Sequence, residues 1–454
     1  MASTSKKVAS GTLIFFTRKV WIYLFSGAAT LYIIRALGVY HYGILTLALS
    51  VVGILAPFLD FDIGSVISVD IASELGKNQL SRVKKLIKEY VRLEIIIGLI
   101  FSLSLIIFNG LISQKYGQEI GDLVKIISAL LFLQALKNIF STTFYGFSNF
   151  RYFTLIDAIE SLVKFIFVIG LYYFGQFSVV KVAVIILVSS LTSVIITLPL
   201  FIKSLKPLKN IRYDSDNMLK EILFKHGKFH VINQPIKSSL ESLRLWFIKL
   251  FVGVEGVALF QVANKLFGYI SILFSSFEGV LLPVLAEEIS KNISLAKEIV
   301  KRSVKYFTFI GILVMIFSFL FIGDLLRLFF YNKYDASLPI FYWLTLVLPA
   351  VGFSVIIRPM FFAFKGQKYL LKSYVISTLL FGYPLGIFLT YKFGVVGFAI
   401  PIGNYVAIIL RYYYIRKIDK EFYIKFKDFF RFDKYDKILV NKVLRRLKLV
   451  KNNS

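Results

Sequence analysis

Apolar runs of roughly 18 or more residues, long enough to cross a lipid bilayer, recur along nearly the whole chain. Hydrophobic residues make up 57% of the 454 residues, and the mean hydropathy is +0.74. Soluble domains need more polar surface than this composition provides. Because lipid offers no partner to unpaired backbone groups, the spans are expected to be helices. The sequence therefore predicts an all-α polytopic membrane protein.

Glycine, proline and charged residues divide these runs into twelve candidate spans. The basic N-terminal residues lead directly into the first run without a clear cleavage site, so we expect a retained first span rather than a signal peptide. The twelve ranges are 11–37, 42–70, 86–110, 120–145, 152–174, 179–202, 226–252, 257–284, 303–330, 336–362, 368–391 and 395–415.

Lysine and arginine are distributed unevenly between the two sides of the predicted membrane. Most lie at the N-terminus, in the even-numbered loops and in the tail, whereas five lie in or beside the odd-numbered loops: Arg35, Lys115, Arg327, Lys333 and Lys392. Cytoplasmic loops carry the excess of these residues in membrane proteins. We therefore expect a multi-pass protein of the cell (plasma) membrane with both termini in the cytoplasm.

The two halves of the chain resemble each other. A shift of 215 residues places Leu37-Gly-Val39 on Val252-Gly-Val254, and a shift of 219 places Tyr172-Tyr-Phe-Gly on Tyr391-Lys-Phe-Gly. Six spans per half make the repeats parallel. We predict an N-terminal lobe (1–205), a cytoplasmic linker (206–225), a C-terminal lobe (226–415) and a basic amphipathic cytoplasmic tail (416–454).

Several charged residues fall inside the predicted spans, where each costs about 2.5–3.5 kcal/mol on insertion scales. Lys237, Glu241 and Arg244 share one face of the seventh helix by their spacing, and Lys164 belongs to a similar stripe in the fifth. Two interpretations stay open, an intrahelical salt bridge or the lining of a polar cavity. A cationic cavity would favour an anionic group such as phosphate or pyrophosphate.

Composition argues against several other classes. The chain has no cysteine and three histidines without metal-ligand spacing, so neither a metal site nor a cofactor is expected. It contains no nucleotide-binding or hydrolase motif. The formal net charge of +28 fits the cytoplasmic bias of a membrane protein better than nucleic-acid binding.

Two short motifs resemble those of a known family. Arg35-Ala-Leu-Gly-Val-Tyr-His-Tyr-Gly-Ile44 resembles the turn after the first helix of polysaccharide repeat-unit flippases (O-antigen or teichoic type), although Val39 stands where that family usually has proline. Asp62-Ile-Gly64 resembles the motif at the end of their second helix. These proteins belong to the multidrug/oligosaccharidyl-lipid/polysaccharide (MOP) superfamily, which also includes the multidrug and toxic-compound extruders (MATE). The resemblance covers residues 1–415 and implies a MATE-like 6+6 fold.

The resemblance implies a flippase that moves isoprenoid-(pyro)phosphate-linked oligosaccharide to the outer leaflet by alternating access. Together with the charges, it suggests five substrate-binding residues: Arg18, Lys237, Arg244, Lys164 and Arg358. Asp62, Glu241 and Glu278 are candidates for coupling to H⁺ or Na⁺, although Asp62 could instead cap or pair at the cytoplasmic gate. We expect a monomer whose partners are the lipid-linked substrate, membrane lipid and the coupling ion.

Three other functions stay open at this point. A multidrug exporter of the same superfamily, driven by H⁺ or Na⁺, is the first alternative. A membrane glycosyltransferase or polymerase is disfavoured because the outer loops are short and lack a metal-binding acidic motif. A lipid scramblase without ion coupling is the third.

Overall fold

The computed structural model describes residues 2–61, 63–175, 177–212, 230–364, 366–418, 423–431 and 436. In the first half of the chain the helices are α1 (Ala2–Leu37), α2 (Val39–Leu55), α3 (Pro57–Asp60), α4 (Ile63–Gly76), α5 (Leu80–Ile107), α6 (Asn109–Tyr116), α7 (Gln118–Ile127), α8 (Ala129–Gly146), α9 (Phe150–Tyr173) and α10 (Val179–Leu205). A 3₁₀ turn follows at Lys206–Leu208.

The described residues of the second half of the chain form eight further α-helices. They are α11 (His230–Val252), α12 (Val254–Lys291), α13 (Ile293–Phe330), α14 (Ser337–Thr345), α15 (Leu348–Ala363), α16 (Gln367–Tyr374), α17 (Tyr383–Phe393) and α18 (Ile402–Ile418). A π-helical segment, Val375–Gly382, joins α16 to α17. Within the described residues the structure contains no strand, so the all-α prediction is confirmed.

Each predicted span overlaps helix in the described part of the chain. Seven stretches there are long and apolar enough to cross a membrane, or up to eight if the bent pair α14 and α15 forms one span. Two further helices, α9 and α11, each carry four charged side chains, which lowers their hydropathy. The count of twelve membrane crossings therefore stays a prediction, and the helices that fall short include those with the charges of interest.

The second predicted span is broken rather than continuous. α2 ends at Leu55, Pro57 begins the short α3, and Phe61 adopts a left-handed backbone conformation with φ of 47° before α4. Proline lacks the amide hydrogen that would continue the helix, which explains the first interruption. Broken helices expose backbone groups inside a membrane protein and often mark binding sites.

Two pairs of glycines related by the repeat share an unusual backbone conformation. Gly38 and Gly253, 215 residues apart, have φ of 76° and 102°, and each separates two consecutive helices. Gly175 and Gly394, 219 residues apart, have φ of 66° and 68°. Residues with a β-carbon rarely adopt these angles. The turns therefore match at the positions where the sequence halves align.

The chain forms two compact units. The first contains Met1–Leu266, Ile322–Phe341 and Gly386–Ala399, and its core includes Ile67, Leu86 and Phe144. The second contains Phe267–Phe321, Tyr342–Leu385 and Ile400–Ser454. The predicted division into lobes, linker and tail stays a prediction, and residues 213–225 of the linker lie outside the described residues.

Part of the predicted tail packs into the core of the second unit. The Phe429 side chain is fully buried beside Phe353 of α15. Asp436 is also buried, and its carboxylate forms an ion pair of 2.5 Å with Lys305 of α13. Phe429 is therefore held by apolar packing and Asp436 by a buried charge pair.

In the first unit, the loop after α13 closes over the end of α1. The buried Tyr334 hydroxyl donates a hydrogen bond of 3.2 Å to the carbonyl of Ile34, and Arg35 contacts Tyr331. Burial raises the pKa of Tyr334 above its ordinary value, so this hydroxyl stays a neutral donor.

Candidate functional site

Helices α1 and α9 lie side by side and are joined by polar and aromatic contacts. The Arg18 guanidinium pairs with the Asp157 carboxylate, and its Nε lies 2.8 Å from that oxygen. Eight residues further along α1, the Ser26 hydroxyl accepts a hydrogen bond of 2.5 Å from Lys164. The ring of Phe25 meets that of Phe165 at 5.3 Å. The contacting residues advance along both helices together, by about two turns from one contact to the next. The two helices therefore run in the same direction.

A second ion pair joins α8 to the same face of α9. The Nζ of Lys137 lies 2.9 Å from the Glu160 carboxylate, and the two side chains are 11% and 25% exposed. Lys164 lies one turn beyond Glu160 and within electrostatic range of Lys137, Glu160 and Lys265 of α12. We call Arg18, Lys137, Lys164 and Lys265 the cation cluster.

The cation cluster and its carboxylate partners together carry more positive than negative charge. Its two carboxylate partners are Asp157 and Glu160, whereas Lys164 binds a neutral serine hydroxyl. For Lys265, an exposed side chain, no hydrogen bond or ion pair is found within the described residues. Four cations and two carboxylates leave a surplus of two positive charges among predicted membrane helices. Such a surplus favours an anionic ligand, since phosphate oxygens accept strong charge-assisted hydrogen bonds.

Two predicted substrate residues, Arg18 and Lys164, therefore lie along the same contact between α1 and α9, about two turns apart. Lys137 and Lys265 complete the cluster but were not predicted as site residues, although each stands as a cation inside a predicted span. That signal was available in the sequence. The ion-pair partners could not be predicted from the sequence, because Arg18 and Asp157 are 139 residues apart.

The predicted stripe on α11 has a different environment. Lys237 and Arg244 are half-buried, and the guanidinium of Arg244 lies 5.5 Å from the ring centre of Phe260. Glu241, between them, is exposed. Ser239 on the same helix donates a hydrogen bond of 2.8 Å to the carbonyl of Ile54, which fixes α11 against α2. A role for this stripe in substrate binding or ion coupling stays a prediction.

The remaining predicted residues are less informative. Arg358 is half-buried on α15, in the second unit, and precedes Pro359. Glu278 lies on α12, but its side chain lies outside the described part of the structure, as does the whole of Asp62. No cluster of three potential metal-ligating side chains occurs within the described residues.

A separate cavity of about 820 Å³ opens between α5 and the end of α10. Apolar side chains such as Val91, Phe201 and Leu205 form most of its wall. Four lysines also line it: Lys84, Lys88, Lys206 and Lys209. An apolar wall with cations at one end suits an anionic amphiphile, whose charged group and hydrocarbon would each find a matching environment.

Comparison with known families identifies the chain. Residues 8–288 match the polysaccharide biosynthesis protein family. The chain belongs to this family. The predicted resemblance is thereby confirmed. Because the chain also contains several helices long and apolar enough to cross a membrane, it is a multi-pass membrane protein. No curated protein matches the chain significantly by sequence.

Solved structures of MOP transporters share the fold of this polysaccharide biosynthesis protein. An inward-facing multidrug resistance MATE transporter of the MOP superfamily matches with a TM-score of 0.71 and 19% identity, over 88% of this chain and 95% of the other. The lipid II flippase MurJ in an inward closed conformation matches with a TM-score of 0.69 and 15% identity, over 98% and 94%. A MOP superfamily transporter from Pyrococcus furiosus Vc1, described as having a binding pocket of reverse polarity, matches with a TM-score of 0.63 and 17% identity, over 92% and 96%.

Proposed function

We propose that this protein is a flippase that moves an oligosaccharide, linked to an isoprenoid phosphate or pyrophosphate, from the cytoplasmic to the outer leaflet of the plasma membrane. It would act as a transporter by alternating access rather than as an enzyme, with both termini in the cytoplasm. Family membership and the MOP fold supply the general class. The positive charge of the site supports an anionic substrate such as a phosphate or pyrophosphate.

The observation that carries the proposal is the uncompensated positive charge of the cation cluster. Lys164 donates its described hydrogen bond to a serine hydroxyl, and Glu160, the acid within its electrostatic range, is already paired with Lys137. Lys265 adds a second cation within electrostatic range. A site for organic cations would favour the opposite sign. The lysine-lined cavity beside α5 and α10 has the chemistry that an isoprenoid phosphate requires.

The two ion pairs explain how the cation cluster can be stable without bound substrate. Asp157 holds Arg18 and Glu160 holds Lys137, so two of the four cations are stabilised by carboxylates in the empty protein. A buried cation without a partner would cost several kcal/mol. An incoming phosphate group would add acceptors for Lys164 and Lys265, while the isoprenoid chain stays in the surrounding lipid.

The proposal can be tested by reconstitution into liposomes. The probe is undecaprenyl diphosphate carrying a fluorescent disaccharide, and a membrane-impermeant quencher reports the fraction in the outer leaflet. The double variant Lys164→Met and Lys265→Met should slow translocation at least tenfold, since one charge-assisted hydrogen bond is worth about 1.5–3 kcal/mol. Wild-type rates in the double variant would remove the cation cluster from the site.

A matched control is Lys125→Met, which removes an exposed lysine from α7 and should leave translocation unchanged. Deletion of the gene in its host tests the same function in cells. Lipid-linked glycan should accumulate on the cytoplasmic leaflet. Unchanged surface glycan together with lost dye efflux would instead support the multidrug exporter, and an unchanged leaflet distribution together with unchanged dye efflux would reject both.

A further inference from the structure

A short segment of the tail packs against the end of the last helix. α18 ends at Ile418, and the segment 423–431 follows it in the chain. The Tyr412 hydroxyl donates a hydrogen bond of 3.2 Å to the Ile424 carbonyl, and the ring of Phe426 lies 5.5 Å from that of Tyr412. Tyr412 is less than two turns from the end of α18, inside the last predicted span. The segment therefore lies level with the last turns of a predicted membrane helix.

The segment has one face in the core of the second unit and one face outside it. Ile424 and Phe429 are buried, and the Phe429 ring packs 5.6 Å from that of Phe353 on α15. Phe426 and Phe430 stay outside this core, where they are 51% and 41% exposed, and their rings lie 5.4 Å apart. Because the buried residues fix the segment, the two exposed rings are held as a pair on its outer face.

Basic side chains surround this exposed aromatic pair. Lys425, Lys427 and Arg431 are all exposed, and no ion pair that involves them occurs within the described residues. Asp428, the acid of the segment, is half-buried, which leaves three cations against one carboxylate. We call the exposed part of the segment the tail surface, which consists of Lys425, Phe426, Lys427, Phe430 and Arg431.

The end of α18 extends the positive charge of the tail surface. Arg416 and Lys417 are exposed, and their charged groups lie 5.6 Å from the ring centre of Tyr423 and 4.9 Å from that of Tyr413, respectively. Basic and aromatic side chains together are typical of the layer where a membrane protein meets lipid headgroups. On the predicted orientation, the end of α18 meets the headgroups of the cytoplasmic leaflet.

We infer that the tail surface binds anionic phospholipids of the cytoplasmic leaflet. Its lysine and arginine side chains pair with lipid phosphates, while Phe426 and Phe430 enter the boundary between headgroups and acyl chains. Lipid accounts for both kinds of side chain, because the aromatic pair gains an apolar partner and the clustered cations gain anions. The position beside the last turns of a membrane helix favours lipid over an acidic soluble protein. The inference concerns bilayer lipid and does not depend on the substrate proposed above.

The test uses the full-length protein reconstituted into phosphatidylcholine vesicles. The chain has no cysteine, so Phe430→Cys provides a single site for a fluorescent label. Two quenchers are compared in separate titrations, phosphatidylglycerol and phosphatidylcholine, each with a spin label on an acyl chain. Gln79→Cys is the matched control, an exposed position between α4 and α5 in a predicted cytoplasmic loop.

Both quenchers should act on the label at position 430 more strongly than on the label at position 79. Phosphatidylglycerol should do so at a mole fraction lower by about fivefold or more, the factor that one basic residue contributes near an anionic surface. The triple variant Lys425→Gln, Lys427→Gln and Arg431→Gln should lose this preference and keep the quenching by phosphatidylcholine. Lys125→Gln, which removes an exposed cation from α7, should retain the preference.

Three results would overturn the inference. Quenching at position 430 as weak as at position 79 would mean that the tail surface faces water, a soluble protein or a second copy of the chain. Equal quenching by the two lipids, or a preference that survives in the triple variant, would mean that the cations do not select the headgroup. If the Phe430→Cys protein does not fold, Phe426→Cys supplies the same measurements at the other exposed ring.

Discussion

Replacing Asp436 by asparagine should release the C-terminal segment from the second unit. The Lys305 and Asp436 side chains are 5% and 0% exposed, so the pair is effectively removed from water. Breaking such a pair from one side costs about 3–5 kcal/mol, because the remaining charge stays buried. Asparagine retains an acceptor for the Tyr306 hydroxyl, and Lys305 keeps the Arg431 carbonyl at 2.7 Å. We therefore expect a cost at the low end of this range, about 3 kcal/mol.

A change of this size raises the population of the released segment about a hundredfold, at 1.4 kcal/mol for each factor of ten. Limited trypsin digestion measures it, since Lys425, Lys427 and Arg431 provide cleavage sites within the packed segment. When opening is fast, the cleavage rate follows the open population. Asp428→Asn, a charge change in the same segment outside any described ion pair, should stay within twofold of wild type.

A double variant separates charge from packing. Lys305→Met combined with Asp436→Leu replaces the ion pair by apolar groups, and such replacements are often neutral or stabilising. The double variant should therefore be cleaved more slowly than Asp436→Asn. Wild-type cleavage of Asp436→Asn would refute the reasoning, because it would mean that the buried pair contributes nothing to holding the segment.

Three further predictions concern the first unit. Arg18→Glu should reduce translocation at least tenfold by breaking the pair with Asp157, and adding Asp157→Arg should recover part of it; no recovery would contradict a simple ion pair. Gly64→Val should lower the yield of folded protein in fluorescence-detected size exclusion, because its side chain has no space. Gly394→Ala should lower the thermal midpoint by strain at φ of 68°, whereas Gly170→Ala, with open space within α9, should not.

The sequence located individual spans well because their ends carry local signals. The predicted span 179–202 corresponds to α10, whose start is capped by the Ser178 side chain at 3.2 Å from the Lys181 amide. The predicted span 42–70 contains a break that the sequence indicates only in part, through Pro57. The left-handed conformation of Phe61 depends on the helices around it, which local residue patterns do not record.

The candidate site was less accessible to sequence reasoning. Arg18 and Lys164 were recognisable as cations inside spans, but their partners come from distant segments. The motif drew attention to Asp62, whereas the described contacts involve Asp60.

The glycine turns at Gly38, Gly175, Gly253 and Gly394 bear on how this chain arose. A gene that duplicates and then diverges can exchange almost every side chain, because lipid accepts many apolar residues in place of one another. It cannot as easily replace the glycines at the few positions where the backbone must adopt a left-handed conformation. Ancient doubling in such transporters should therefore be traceable through bends in the backbone long after the matching letters have gone.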